Sequence, residues 1–260
     1  MPVVGEQQLF EWLNGFLLAF LRISAMLFVA PMFGAVYVPV QVRVLLALAF
    51  SLAVFPLLYP LGLTVSLFSA HGILIAVQQI LLGLAIGFVF QLLFETVVIG
   101  MQTVSMSMGL GFAVFVDNQS GIQVPTLGQL YTLLAMLIFL ALDGHLAMIN
   151  LLFLSFDSVP AGSRGLAAAD LGNLVAWGSQ MFAGALRIAL PAATALLIAN
   201  IVIGVISRAA PQLNLFAIGL PFTMLVGFLV LMASVPAMRD AFVSLMQLAF
   251  DQAANTISER

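Results

Sequence analysis

The polar residues of this 260-residue chain are few, and their positions suggest what kind of chemistry it can do. Between Val44 and Leu142 only Glu95 and Asp117 carry a formal charge, and all seven basic residues are arginines. Hydrophobic residues make up 63% of the chain and charged residues 7%, which is too little charge to coat a water-soluble surface. We therefore predict an integral membrane protein. The alternative is an apolar core that partner proteins must cover.

One stripe of small and polar residues lies within a single apolar stretch. Its members follow one another at intervals of four: Gly83, Gly87, Gln91 and Glu95. They share one side of a helix, and small residues at this spacing let a second helix approach closely. A carboxylate within a span must meet water or a partner, so we expect Glu95 to face a packing seam or a wet lumen.

Three arginines and an asparagine pose the same problem of polar groups in apolar stretches. They are Arg22, Arg187, Asn200 and Arg208. Such arginines usually bind a carboxylate or carbonyl oxygens, and the sequence leaves open an Arg187–Glu95 pair. With Gln91 and Glu95, these residues form the predicted set of intramembrane polar contacts.

The stretch from Met101 to Gly121 has the most unusual local composition. Its candidate functional residues are Met106, Met108, Gly109, Gly111, Phe112, Phe115 and Asp117. Glycine loosens a helix, whereas methionine and phenylalanine supply large apolar volume, and thioethers adapt to irregular partners. The stretch fits either an ordinary interhelical loop or a pliable apolar seal inside a pore.

Patterns of catalytic and metal-binding residues are missing from the sequence. There is no lysine for a Walker phosphate loop, no cysteine, no His-Glu-x-x-His pattern and no Gly-x-Ser-x-Gly elbow. His71 and His145 are the only histidines, and one histidine with one carboxylate is too few ligands for a metal. A net charge of -3 with scattered arginines offers no basic surface for nucleic acid. We expect no enzymatic activity, cofactor, metal or nucleic-acid partner.

The lengths of the apolar stretches predict an all-α fold of helical hairpins in a membrane. About six long helices are predicted, followed by a C-terminal amphipathic helix at 239–255. The six cover roughly 9–30, 40–58, 72–104, 129–156 with a break at Asp143-Gly144, 174–206 and 215–232. The polar stretch 157–172 is the predicted linker, and the turn around Pro211 predicts an antiparallel hairpin after it.

Residues in order along the chain carry a family resemblance. They are Arg22, Pro31, Gly34, Pro39, Arg43, Gly83, Gly87, Glu95, the segment 109–117, Gly144, His145, Arg187, Pro191, Asn200, Gly204, Arg208, Pro211, Asn214, Phe216, Gly219 and Pro221. Together they resemble the FliR family of flagellar export proteins and its SpaR and YscT relatives in virulence type III secretion. The resemblance covers nearly the whole chain.

This resemblance implies one subunit of a type III secretion export gate, through which unfolded export substrate proteins cross. It implies FliP, FliQ and FlhB-like partner subunits, with membrane lipid around the assembly. The expected location is the bacterial inner (cell) membrane, at a flagellar basal body or an injectisome base.

The resemblance also implies an internal organisation. Residues 1–260 would form a single membrane domain with a FliP-like helical part at 1–172. A FliQ-like hairpin and C-terminal helix would follow at 173–260. The family places a plug-forming loop in the central pore, and the matching stretch is 105–121.

Two other classes of function suit some of the same features. A secondary transporter or small-solute channel also uses broken helices and isolated intramembrane charges, although no internal repeat is visible. A membrane-embedded enzyme would need a cluster of catalytic residues near one interface. A proton relay through Glu95 or Asp117 is also conceivable. Their isolation favours structural polar contacts instead.

Overall fold

A computed structural model describes residues 5–34, 38–58, 69–110, 126–160, 162, 165–209 and 215–258. All regular secondary structure in these residues is helical, which confirms the predicted all-α fold. The helices of the described residues are α1 (Glu6–Val29), α2 (Val40–Leu58), α3 (Ala70–Ser107), α4 (Thr126–Ala141), α5 (Gly144–Ser158), α6 (Ala168–Ala209) and α7 (Leu215–Ser258).

The helix boundaries agree with the prediction in most of the chain. Helix α2 has the predicted bounds, and the predicted break at Asp143-Gly144 separates α4 from α5. Asp143 has a positive φ of 55°, a left-handed conformation that ends one helix before the next begins.

The C-terminal region differs from the prediction in its continuity. The second hairpin helix and the amphipathic helix are one helix, α7, which continues through Pro221 and Pro236. Each proline removes a single backbone hydrogen-bond donor, and the helix continues on both sides of it. Proline alone was therefore insufficient to mark a helix end.

Four helical segments of the described residues are long and apolar enough to cross a membrane. They are Gln8–Val29, Ala70–Ser107, Ala169–Ala209 and Pro221–Ile257. The broken pair α4 and α5 raises the number to five when it counts as one span, and α2 contributes a shorter apolar helix. These lengths fit the predicted helical membrane protein.

Contacts divide the chain into two compact units. Unit 1 comprises Met1–Leu92, Leu142–Gly178 and Leu248–Arg260, and unit 2 comprises Leu93–Ala141 and Ser179–Gln247. Helices α3, α6 and α7 therefore have residues in both. The predicted division after residue 172 remains a prediction.

In unit 1, α1 and α3 approach so closely that only glycine fits on α3. A Cβ atom at Gly83 would overlap the carbonyl oxygen of Arg22, and one at Gly87 would lie 2.9 Å from that of Met26. Here the small-residue spacing does produce the close backbone approach that the sequence predicted.

In unit 2, aromatic rings and a second close approach hold the helices together. Phe94 of α3 packs edge-to-face with Phe139 of α4 at 5.6 Å and with Phe242 of α7 at 5.7 Å between ring centroids. A Cβ atom at Gly100 of α3 would lie 2.9 Å from the carbonyl oxygen of Ala185 in α6. The end of α3 is thus packed against α4, α6 and α7.

Candidate functional site

Among the described residues, Arg22 in unit 1 is the one charged side chain that is buried. Its exposed fraction is 0%. Its Nη1 donates to the carbonyl oxygen of Ser155 at 2.7 Å and to the hydroxyl oxygen at 3.1 Å. Its Nη2 donates to the carbonyl oxygen of Val159 at 2.7 Å, and its Nε to Oε1 of Gln79 at 2.8 Å. The guanidinium carbon lies 4.2 Å from the centroid of the Phe156 ring.

The oxygens that Arg22 binds belong mainly to the C-terminal end of α5. The Ser155 carbonyl also accepts the N–H of Val159 at 3.0 Å, and the Val159 carbonyl follows the last residue of α5. Carbonyl groups at this end carry the negative end of the helix dipole, so a guanidinium is favourable beside them. Among the described residues these acceptors are neutral oxygens. Arg22 consequently joins α1, α3 and the end of α5 through carbonyl, hydroxyl and amide oxygens.

The second candidate site is the end of α3 in unit 2, where the predicted pore segment begins. Gly109 has a positive φ of 82°, and its N–H donates to the carbonyl oxygen of Met106 at 3.0 Å. The N–H of Leu110 donates to the carbonyl oxygen of Ser105 at 3.1 Å. These two bonds form a Schellman motif, which ends the helix at a glycine that can adopt positive φ.

Side chains of α6 and α7 bind the last carbonyl groups of α3. Nδ2 of Asn200 donates to the carbonyl oxygen of Ser107 at 3.2 Å, and the hydroxyl of Thr223 donates to that of Met108 at 3.3 Å. The Met108 side chain is fully buried and lies directly against Gly227, where a Cβ atom would be 2.6 Å from its Cγ and Cε atoms. The start of the segment is therefore fixed to α6 and α7.

The predicted pore-plug residues have different surroundings. Met106 is 65% exposed, whereas Met108, two residues further on, is buried within unit 2. Gly109 terminates α3. The other members of the set, Gly111, Phe112, Phe115 and Asp117, lie outside the described residues.

The remaining predicted polar residues do not form one cluster. Gln91 and Glu95 are half-buried in α3, and Arg187 and Arg208 are exposed on α6. Within the described residues Arg187 forms no ion pair, so the conceivable Arg187–Glu95 pair is not present there. Across the described residues, no group of three His, Asp or Glu side chains could hold a metal ion.

Sequence reasoning missed several residues of both sites. Gln79 lies one interval of four before Gly83, so extending the stripe by one step would have found it. Ser155 and Thr223 gave no such signal, because most serine and threonine hydroxyls in helices bind a carbonyl of their own helix. Gly227 also gave no signal, because a single glycine in a long apolar stretch does not indicate which side chain packs against it.

We predict that Arg22→Lys destabilises the protein although it conserves the charge. A lysine ammonium cannot reproduce the planar fork that reaches Gln79, Ser155 and Val159 together. Losing one charge-assisted hydrogen bond costs about 2 kcal/mol, which corresponds to a Tm lower by about 5 °C. Thermal unfolding of the full chain in detergent, followed by tryptophan fluorescence, measures this shift.

The matched control for this variant is Arg208→Lys, because Arg208 is exposed on α6. Its Tm should stay within about 2 °C of the original protein. Equal effects of the two substitutions would contradict the structural role assigned to the Arg22 hydrogen bonds.

We also predict that Met106 and Met108 differ in their rate of oxidation by dilute peroxide. Exposed Met106 should form sulfoxide at least about tenfold faster than buried Met108 in the folded protein, because access controls this reaction. Gly227→Leu should raise the Met108 rate by displacing its side chain. Gly204→Leu, where a Cβ atom meets nothing within 4 Å, should not. Peptide mass spectrometry measures both rates, and equal rates in the unchanged protein would overturn the anchoring of Met108.

Known proteins are similar in sequence to nearly the whole chain. The family model described as "Bacterial export proteins, family 1" matches residues 13–249. The flagellar biosynthetic protein FliR of Escherichia coli (strain K12) is 37% identical over 259 residues, covering 100% of this chain and 98% of that protein.

Two further relatives are a second flagellar protein and a surface presentation protein. FliR of Pectobacterium carotovorum subsp. carotovorum is 33% identical over 259 residues, with the same coverage. The surface presentation of antigens protein SpaR of Shigella flexneri is 22% identical over 161 residues, 62% of each chain. The chain therefore belongs to family 1 of the bacterial export proteins, in agreement with the resemblance to FliR and SpaR in its sequence.

Proposed function

We propose that this chain is an inner-membrane subunit of a flagellar protein-export gate. The observation that carries the proposal is the full-length similarity to proteins named for flagellar biosynthesis, at 33% to 37% identity. The similarity to SpaR is lower and shorter, which favours the flagellar system over the virulence system. Four apolar helices of spanning length support placement in the membrane.

The exposed surface of the chain supports assembly with other membrane subunits. Many large apolar side chains of α6 and α7 are exposed, including Ile198 at 65% and Met232 at 73%. Such surfaces need lipid or protein around them. In our proposal, FliP, FliQ and FlhB-like subunits cover part of this surface and complete a conduit for unfolded export substrates.

The segment 105–121 acts in this proposal as the plug of the conduit. An unfolded protein needs a wide path, yet ions must not leak when the path is empty. Met106, Phe112 and Phe115 supply flexible apolar volume for closure, and a passing peptide displaces them. Met108 and Gly109 take a different role, because they hold the base of the segment to α6 and α7.

An anchored base gives such a plug a defined position while its far part yields. The hydrogen bonds from Asn200 and Thr223 fix the last turn of α3. The next described helix, α4, begins at Thr126. A peptide can then move the intervening residues aside without pulling the helices apart.

A secondary transporter or small-solute channel is the alternative function. Deleting the gene should abolish flagellin secretion and motility and leave small-solute uptake intact if the chain is an export subunit. Solute uptake by the purified chain alone, reconstituted in vesicles, would instead favour a transporter.

We predict that replacing residues 106–115 with glycine and serine raises ion leakage through the assembled gate. The replacement removes the apolar volume that excludes water, and conductance of the reconstituted gate in planar bilayers should rise several-fold. The single variant Met106→Ser should give a smaller rise. Met232→Ser is the matched control, because Met232 is also exposed but lies in α7, and it should leave the conductance unchanged. Unchanged conductance in the segment variant would contradict the plug.

A further inference from the structure

Uncharged stretches of membrane-spanning length lie in α6 and α7, with an arginine at both ends of the α6 stretch and at the C-terminal end of the α7 stretch. No formally charged residue separates Arg187 from Arg208, and none lies between Leu215 and Arg239. At 1.5 Å per residue, each stretch spans about 30 to 36 Å, close to the thickness of the hydrocarbon core. Arg187 and Arg208 would then lie at opposite faces of a bilayer.

Contacts in unit 2 place Arg187 and Arg239 toward the same end of these stretches. Asn200 of α6 and Thr223 of α7 both bind the end of α3, so these middle parts of the two helices lie near each other. Ile188, next to Arg187, lines the same cavity as Arg239. The two helices are thus antiparallel here, so in a bilayer Arg187 and Arg239 would lie at one boundary and Arg208 at the other.

The cavity beside Arg239 is a small apolar groove that opens to the surface. Its volume is about 40 Å³, and α3, α4, α6 and α7 all contribute to its walls. Apolar residues of the walls include Val97, Leu134, Ile138, Ile188 and Phe242. On this measure about 10 to 15 Å³ holds one water molecule, so the enclosed part holds about three groups of that size. A longer chain would continue along exposed apolar side chains at the rim, such as Leu134 and Val235.

The charges at this groove favour an anionic occupant. Arg239 is exposed, and within the described part of the chain neither Arg187 nor Arg239 has a hydrogen-bond or ion-pair partner. The carboxylate of Asp240 follows in the sequence, but it lies about 100° further around the helix. A guanidinium at a membrane boundary binds phosphate oxygens through two parallel hydrogen bonds. Tyr131, also in the groove wall, is an aromatic residue of the kind enriched at that depth.

We propose that this groove binds an anionic phospholipid. One acyl chain occupies the apolar groove, and the phosphate group binds Arg239, which lines it. Arg187 does not line the groove, although its neighbour Ile188 does, and it adds only longer-range positive charge from α6. The combination of an apolar groove with the guanidinium of Arg239 on its wall favours an anionic lipid over a neutral apolar side chain. The inference rests on the membrane placement proposed above and is independent of the plug.

Native mass spectrometry of the full chain in mild detergent tests this site. Phosphatidylglycerol and phosphatidylcholine with identical acyl chains are added at equal concentrations. We expect phosphatidylglycerol to be retained at least about fivefold better, and Arg239→Gln to remove most of this preference. Arg187→Gln should reduce it less. Arg208→Gln is the matched control, an exposed arginine of α6 at the opposite boundary, and should retain the preference.

A second variant tests the contribution of the groove independently of the charges. Ala135→Leu fills the groove without altering any charge, and it should lower retention of both lipids while its Tm stays within a few degrees of the original protein. Inorganic phosphate at millimolar concentration should not displace phosphatidylglycerol, since it lacks the acyl chain. Displacement by phosphate would identify a simple anion site and overturn the lipid proposal.

Three further outcomes would also overturn it. They are an absence of preference between the two lipids, an equal loss in Arg208→Gln, and photocrosslinking from position 134 to a partner subunit in the assembled gate. Alkaline extraction of cell membranes separates this failure from failure of the membrane placement. A chain that stays in the membrane without lipid preference refutes the lipid site alone, whereas a chain released by alkali refutes both.

Discussion

Carbonyl oxygens at helix ends are the polar groups that an apolar chain has most difficulty satisfying, because neither lipid nor aliphatic side chains can donate to them. In this protein, polar side chains from other helices meet that need at two places. Arg22 of α1 binds the end of α5, and Asn200 and Thr223 bind the end of α3. Three side chains thus bind helix ends across the fold, whereas other hydroxyls, such as those of Ser51 and Thr194, bind carbonyls of their own helices.

This use of polar residues has a consequence for the proposed export function. A segment that must move can be attached to a rigid scaffold only if the helix before it ends at a fixed point. Gly109 supplies the turn, and the contact of Met108 with Gly227 prevents the last turn of α3 from sliding. Met108 is buried at this anchor, whereas Met106, two residues earlier, is exposed.

The sequence was informative where local chemistry decides the structure. The length of α2, the break at Asp143-Gly144 and the glycine spacing at Gly83 and Gly87 all follow from residues near one another in the chain. The sequence was uninformative where contacts between distant parts of the chain determine the structure. The partners of Arg22 lie 57 to 137 residues away, and burial of Met108 depends on a glycine in α7. The continuity of α7 was missed because a proline weakens a helix without necessarily ending it.

Amide hydrogen exchange at the end of α3 tests the role of these cross-helix hydrogen bonds most directly. Thr223→Val removes the hydroxyl bound to the Met108 carbonyl and conserves side-chain shape. Thr194→Val is the control, because the Thr194 hydroxyl donates to carbonyl oxygens of its own helix, those of Leu190 and Pro191. We predict at least about tenfold faster exchange at residues 108–110 in Thr223→Val and no change in the control. Unchanged protection in Thr223→Val would contradict the claim that side chains of other helices fix these helix ends.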